Sequence, residues 1–195
     1  MTTRMWSWVV VSAALLLAAC AHQISIAPDM TKLGEPAAAA RPSTVGLYIS
    51  PEDRSRQVTT PGGGGDKVAY YPYRDLESGI YKVLGNVYER VVVVASPKDV
   101  EALSKSGVSV VAHPQIVTQS SSGSALTWPP TFFQVQLSCT LTDISGTKIA
   151  ETFVIGTGRA EFDEFKSDFS LAGKRASEDA LNKTQGAILA EKALK

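Results

Sequence analysis

The residue whose surroundings point most directly to chemistry is Cys20. It follows a segment in which Arg4 precedes a short apolar run, residues 5–19, that ends in small side chains. A basic start, an apolar stretch and small residues before the cleavage point are the pattern of a secretory signal. Residues 17–20 read Leu-Ala-Ala-Cys and form a bacterial lipobox. We therefore expect removal of residues 1–19, acylation of Cys20, and Cys20 as the first residue of the mature chain.

The apolar run is too short for a membrane span, because it covers about 15 residues where a helix needs roughly 20 to cross a bilayer. An uncleaved membrane anchor is the alternative to cleavage at Cys20. Several acyl chains would hold the protein stably, whereas a single chain binds a membrane only marginally. Ala21, and not an aspartate, follows the cysteine, which resembles the enteric lipoproteins that are sorted to the outer membrane. We expect a lipid-anchored protein on the periplasmic face of the outer membrane.

No other set of residues has the spacing that catalysis or metal binding requires. His22 lies beside the lipid anchor, and His113 has no second histidine, cysteine or acidic cluster near it in the sequence. A metal site usually needs three or four ligands. The glycine run at 62–65 lacks the ending of a phosphate-binding loop, and the Ser-x-x-Lys at 145–148 lies in a predicted turn without its companion motifs. We predict no enzyme activity, no metal and no cofactor.

Composition bears on the possible partners. The chain has 19 basic and 19 acidic residues, and loss of Arg4 with the signal leaves 18 basic residues. Because no basic excess remains, we expect neither nucleic acid nor anionic lipid surfaces as partners. The mature chain has about 175 residues, enough for one domain with a hydrophobic core. Cys139 lies in an alternating apolar stretch, so we expect this thiol to be buried.

The elements that must position these residues follow a predicted tether. Residues 20–43 are rich in alanine and proline, and we interpret them as a tether between the membrane and a periplasmic domain that spans 44–195. Ile24 to Ala27 could instead pack on the domain or on a partner. Strands are predicted at 45–49, 68–71, 91–94, 108–117, 133–141 and 149–158, helices at 73–89, 97–103 and from 170 to the end, and loops at 51–66, 120–130 and 159–169. This order indicates an α+β two-layer sandwich with a mostly antiparallel sheet and the helices on one face.

Two aromatic groups stand out from the rest of the predicted domain. The first, at the start of a helix, is Tyr70, Tyr71 and Tyr73; the second, beside a serine-rich and proline-rich loop, is Trp128, Phe132 and Phe133. Aromatic side chains next to prolines are common anchors at protein interfaces, so these six are the candidate partner-binding residues. The alternative is that they cap the domain's own core.

The lipobox followed by this order of elements resembles a group of small bacterial envelope lipoproteins. The group includes the YajG-type lipoproteins, the periplasmic domain of the curli-secretion lipoprotein, the lipoprotein of the Pel polysaccharide exporter and the lipoprotein activators of penicillin-binding proteins. The likeness covers residues 44–195 and rests on the strands at 45–49 and 91–94, the helix at 73–89, the turn at 143–146 and the alanine-rich last helix. It implies a non-catalytic role in assembling, gating or activating an envelope machine.

Two functions remain open at this point. The first is a protein that binds another component of the envelope. The second is a subunit of a self-assembling ring that supports an export or secretion channel, which predicts a stable oligomer with the Trp128 loop or a sheet edge at the subunit contact. An envelope hydrolase would need a nucleophile–base pair or a metal cluster, and the sequence offers neither.

Overall fold

The computed structural model describes residues 21–124 and 127–194, so Cys20 and the predicted signal lie outside the described residues. The strands are β1 (His22–Gln23), β2 (Arg41–Leu47), β3 (Val58–Pro61), β4 (Lys67–Tyr70), β5 (Tyr88–Val93), β6 (Val108–Ser121), β7 (Phe132–Asp143) and β8 (Lys148–Arg159). The α-helices are α1 (Pro51–Ser55), α2 (Pro72–Val87), α3 (Val100–Lys105), α4 (Phe162–Phe165) and α5 (Leu171–Ala190). Short 3₁₀ turns lie at Met30–Lys32 and Lys192–Leu194.

Five strands form the main sheet, in the order β5-β2-β6-β7-β8, and three form a small sheet in the order β1-β4-β3. Both β5 and β6 run parallel to β2, whereas β6, β7 and β8 form an antiparallel meander with much longer ladders. The predicted α+β class is confirmed. Most paired residues of the main sheet are antiparallel, although its β5–β2–β6 half is parallel.

The inner face of the main sheet and the helices α2 and α5 enclose the core. Strand β7 contributes every second residue to it: Phe133, Val135, Leu137, Cys139 and Leu141. Pro72 begins α2, because proline fits the first turn of a helix, where its missing N–H is not needed. Cys139 is buried as predicted, and burial raises the pKa of its thiol to about 12.

Helix α5 lies directly on β8 because the strand has glycine at the points of contact. A Cβ atom at Gly156 would overlap the backbone of Ala176 and Ala180, and one at Gly158 would overlap the backbone of Ala172. Alanines on the facing side of α5 keep the gap narrow, as the sequence pattern of that helix predicts. Side chains of ordinary size at these positions would force the helix away from the sheet.

The segment predicted as a tether packs on the domain over residues 22–35, and this corrects that part of the prediction. Strand β1 pairs with β4, and the Ile24 amide donates to the Ala69 carbonyl at 3.0 Å. Ile26 is fully buried, and its amide donates to Asp75 at 2.9 Å. The alternative that Ile24 to Ala27 pack on the domain is confirmed. Isolated apolar residues supply the buried contacts here, which an alanine-rich and proline-rich composition did not indicate.

One short helix departs from the predicted one-sided arrangement. Leu103 of α3 packs in a separate cluster with Val94, Val108 and Val111, whereas α2 and α5 share the main cluster. Helix α3 therefore covers the opposite face of the sheet at one end. The buried residues of both clusters lie between Ile26 and Ile188, so the chain from Ala21 onward contains the whole described core.

Candidate functional site

Three of the six candidate partner-binding residues belong to the core. Tyr70, Tyr73 and Phe133 are all buried, and the rings of Tyr70 and Phe133 pack edge to face at 5.3 Å between centroids. The Tyr73 hydroxyl accepts a hydrogen bond from the Ile116 amide at 3.1 Å. Side chains enclosed in this way cannot touch a partner, which corrects the prediction for these three. The alternative, that they complete the domain's own core, describes them.

Trp128 is half-buried and stays a candidate contact residue. Its ring stacks on His22 with 4.0 Å between centroids and lies 4.8 Å from the ring of Phe169. Its carbonyl accepts from the Gly63 amide at 2.8 Å, which ties the glycine-rich loop to the same place. Trp128 thus joins the segment that follows Cys20 to the start of α5.

Tyr71 and Phe132 are also half-buried, and each is covered on one side by a cation. The Arg74 guanidinium lies 3.9 Å from the centre of the Tyr71 ring, and that of Arg159 lies 5.0 Å from the Phe132 ring. Such contacts stabilise an exposed ring modestly. Each predicted aromatic group is therefore divided between the core and the surface.

Phe132 lies at one end of the outer face of the main sheet. The backbone register aligns side chains of β6, β7 and β8 in rows across this face, and three central rows are Gln119–Gln134–Thr157, Val117–Gln136–Ile155 and Gln115–Ser138–Phe153. We call these three rows the neutral face. Among the described residues, no helix packs on them, whereas α2 and α5 cover the inner face.

The neutral face combines uncharged polar side chains with exposed apolar ones. None of its nine side chains is charged, yet Val117, Phe153 and Ile155 are 56%, 60% and 40% exposed. Val117 and Ile155 share one row, and Phe153 lies in the next, so the three form one patch. Single exposed apolar residues are normal on a protein surface, whereas three in one uncharged patch make it a candidate contact surface. Consecutive apolar residues in the predicted strand 149–158 were a sequence signal for it, since alternate residues must face outward.

The edge of β8 beside the neutral face is closed to strand pairing. The Thr157 amide donates to the Asp179 carboxylate at 2.9 Å, and Lys183 donates to the Ile155 carbonyl at 2.9 Å. These backbone groups would otherwise accept an added strand, so the side chains of α5 protect the edge. A partner can approach here through the face of the sheet and not through this part of its edge.

The remaining chemistry-bearing residues are dispersed. Within residues 21–124 and 127–194, no three His, Cys, Asp or Glu side chains are grouped as metal ligands would be. His113 packs edge to face with Tyr48 at 5.2 Å between centroids. No helix in the described ranges is both long and apolar enough to span a membrane. The absence of catalysis, metal and cofactor stays a prediction.

No family model matches the chain, and no curated protein matches it. Solved structures are similar to it at low identity. Protein XCC0632 from Xanthomonas campestris, described as DUF330, is 12% identical with a TM-score of 0.52, over 84% of this chain and 93% of that one. The PelC dodecamer from Paraburkholderia phytofirmans is 14% identical with a TM-score of 0.48, over 82% and 96%. A minor lipoprotein from Acinetobacter baumannii is 11% identical with a TM-score of 0.36, over 80% and 92%.

The likeness to XCC0632 shows a shared fold, which by itself does not carry function. The resemblance to small envelope lipoproteins stays a prediction from the sequence. The likeness to YajG-type lipoproteins in particular stays a prediction.

Proposed function

We propose that the protein is an outer-membrane lipoprotein, acylated at Cys20, whose periplasmic domain binds another component of the envelope and catalyses no reaction. The lipobox supports the location. The neutral face carries the binding proposal, because it is an uncharged surface with three exposed apolar side chains and no covering element among the described residues. The domain would use this face to hold a protein partner.

Acylation at Cys20 would keep the domain close to the membrane. Only Ala21 separates that cysteine from β1, which is paired with β4, and Ile26 is buried soon afterwards. Trp128 stacks on His22, and Phe169 packs against Trp128, so these two rings would face the lipid headgroups, where aromatic side chains are favoured. The strands that carry the neutral face run away from this end for about 40 Å, given their rise per residue, and the face covers three rows of them.

A second copy of this chain is the alternative partner, as in the ring hypothesis. The neutral face suits self-association because it brings no like charges together across a contact between two copies. The protected edge of β8 favours contact through the face over contact through that edge.

Location is tested by metabolic labelling with palmitate and by membrane fractionation of the wild type and of Cys20→Ser. We expect label in the wild type, its recovery with the outer membrane, and loss of both in Cys20→Ser. Membrane association without label would instead indicate the uncleaved anchor.

Binding is tested by placing a photo-crosslinking phenylalanine analogue at Phe153 in intact envelopes. The matched control places it at Tyr81 on α2, which is 44% exposed on the other layer of the domain. We expect a discrete crosslinked product at Phe153 and none at Tyr81. Light scattering of the chain from Ala21 onward then separates the two kinds of partner. A discrete oligomer that dissociates in Phe153→Ser favours the ring, whereas a monomer favours a different protein as the partner. Crosslinking at neither position would contradict the role of the neutral face.

A further inference from the structure

A cleft of about 540 Å³ opens at the end of the main sheet opposite to Trp128. Its walls come from the start of β2, the start of β6, the start of β8 and the C-terminal end of α5, and they are mainly aliphatic: Pro42, Val110, Ile149, Leu189 and Leu194. A cleft of this size falls within the range of about 300–1,000 Å³ for small-molecule sites in proteins. Sites of that kind combine apolar walls with a few placed polar groups.

Two polar side chains that line the cleft have hydrogen-bonding atoms that the fold leaves unused. Tyr88 is 2% exposed, and its buried hydroxyl has no partner among the described residues. The Nε of Arg41 is likewise buried without a partner. Arg41 and Tyr88 are register neighbours on the parallel strands β2 and β5, and the charge of Arg41 acts on the Tyr88 hydroxyl, where it opposes the rise in pKa that burial causes. An unpaired buried polar group is unfavourable, and native folds seldom keep two together without a ligand or water to satisfy them.

The charge of Arg41 is only partly compensated. Its Nη2 donates to the carbonyl oxygens of Ile188 and Glu191 at 2.9 and 3.1 Å, and thereby caps the C-terminal end of α5. Within the described part of the chain, Arg41 forms no ion pair with a carboxylate. Burial raises the pKa of Tyr88 to about 12, so its hydroxyl stays protonated at neutral pH and can donate. Two residues that line the cleft, one of them cationic, thus each have a buried donor without an acceptor among the described residues.

We propose that this cleft binds an amphiphile with one anionic head group, a carboxylate or a phosphate monoester, on an aliphatic chain. The head group accepts hydrogen bonds from Nε of Arg41 and from the hydroxyl of Tyr88. The aliphatic chain lies along the apolar walls and removes them from water, which supplies the hydrophobic part of the affinity. This site is separate from the neutral face, so the inference stands whether or not that face binds a protein.

Calorimetry on the chain from Ala21 onward tests the proposal, because that chain contains the whole described core. The probes are dodecanoate and dodecyl phosphate, each below its micelle concentration, with dodecanol as the neutral control and butanoate as the short-chain control. We expect the better anionic probe to bind at least about tenfold more tightly than dodecanol, since hydrogen bonds to charged groups are the stronger class. The ranking of the two anionic probes identifies the head group. Equal binding of dodecanol, or binding of butanoate alone, would overturn the proposal.

Two variants tie the binding to the cleft. Tyr88→Phe removes a hydroxyl that has no partner among the described residues, so it should fold normally and weaken binding of the better anionic probe about tenfold. Tyr81→Phe is the matched control on the surface of α2 and should bind like the wild type. Ala193→Phe adds a ring at an exposed position that lines the cleft, and should abolish binding without touching the core. Unchanged affinity in both Tyr88→Phe and Ala193→Phe would show that the probe binds elsewhere.

Discussion

Tyr70 and Tyr88 are both buried tyrosines, but at opposite ends of the sheet their hydroxyl groups have opposite surroundings. Near Trp128, the Tyr70 hydroxyl lies 2.7 Å from the hydroxyl of Thr118 and 3.2 Å from that of Thr60. At the cleft, the Tyr88 hydroxyl has no partner in the described chain. Burial raises the pKa of both groups, and at Tyr70 the hydrogen bonds oppose that rise. The described fold therefore pairs the buried tyrosine hydroxyl at one end of the sheet and leaves the one at the other end unpaired.

The largest expected effect comes from adding a side-chain atom at the close contact between β8 and α5. We expect Gly158→Ala to lower the free energy of unfolding by about 2–3 kcal/mol, because its Cβ would overlap the backbone of Ala172. Gly186→Ala is the matched control on the exposed side of α5, where an added Cβ meets no described residue within 4 Å. It should raise the free energy of unfolding by about 0.5–1 kcal/mol. Urea denaturation followed by circular dichroism measures both. Equal effects would contradict the close approach of helix and strand.

The two tyrosines themselves give the sharpest form of the comparison. We expect Tyr70→Phe to cost about 1–2 kcal/mol, because it leaves the buried hydroxyls of Thr60 and Thr118 without their shared partner. We expect Tyr88→Phe to change stability by no more than about 0.5 kcal/mol, because its hydroxyl forms no hydrogen bond within the described chain. Both are read from urea denaturation midpoints. A similar loss in the two variants would mean that the hydroxyl of Tyr88 has a partner after all.

A smaller effect should follow from Trp128→Ala, at the end of the sheet opposite to the cleft. Loss of the stack with His22 should lower the free energy of local opening of the N-terminal segment by about 1 kcal/mol. The Ile24 amide should then exchange its hydrogen about fivefold faster. Nuclear magnetic resonance measures that exchange residue by residue. Phe162→Ala, which removes a ring that is 64% exposed, is the control. An Ile24 amide that exchanges at the wild-type rate in Trp128→Ala would show that β1 holds the segment without the tryptophan.

Periodic parts of the chain were predictable from the sequence. The alternation of Phe133, Val135 and Leu137 predicted β7 and its buried face, and helical spacing predicted α2 and α5. The packing of Ile26 was left open as an alternative, because an isolated apolar residue in an alanine-rich and proline-rich stretch gives no period. Pairing of β1 with β4 depends on tertiary context that propensity does not contain.

The candidate sites were less accessible to sequence reasoning. Aromatic residues beside prolines predicted contacts, but Tyr70 and Phe133 fill the core, since nothing in composition separates an interface anchor from a core residue. The cleft depends on Arg41 and Tyr88, which are far apart in the sequence and meet only through the parallel pairing of β2 and β5. Register of that kind is fixed by the whole sheet and not by local spacing.

At the end of the sheet opposite to the cleft, Glu164 links α4 to α5 and should make stability depend on pH. Arg175 donates to both of its carboxylate oxygens, at 2.7 and 3.1 Å, and the Glu161 amide donates to it at 3.0 Å. These hydrogen bonds, that of Arg175 foremost, lower the pKa of Glu164 from 4.5 to about 2. The unfolded chain therefore takes up this proton at a higher pH than the folded chain does. The stabilising contribution is complete above pH 4.5 and is lost as the pH falls toward 2.

Glu164→Gln tests this dependence with the smallest expected effect of the four. The variant should be less stable than the wild type near neutral pH, and the difference in urea midpoint should shrink steadily once the pH is lowered below about 4.5. Asp163→Asn, which removes an exposed ion pair with Lys166 on the same short helix, is the matched control and should change the midpoint less. Titration of the Glu164 carboxyl by nuclear magnetic resonance measures its pKa directly. A difference in midpoint that does not vary with pH would show that Glu164 stabilises the fold through its packing and not through its charge.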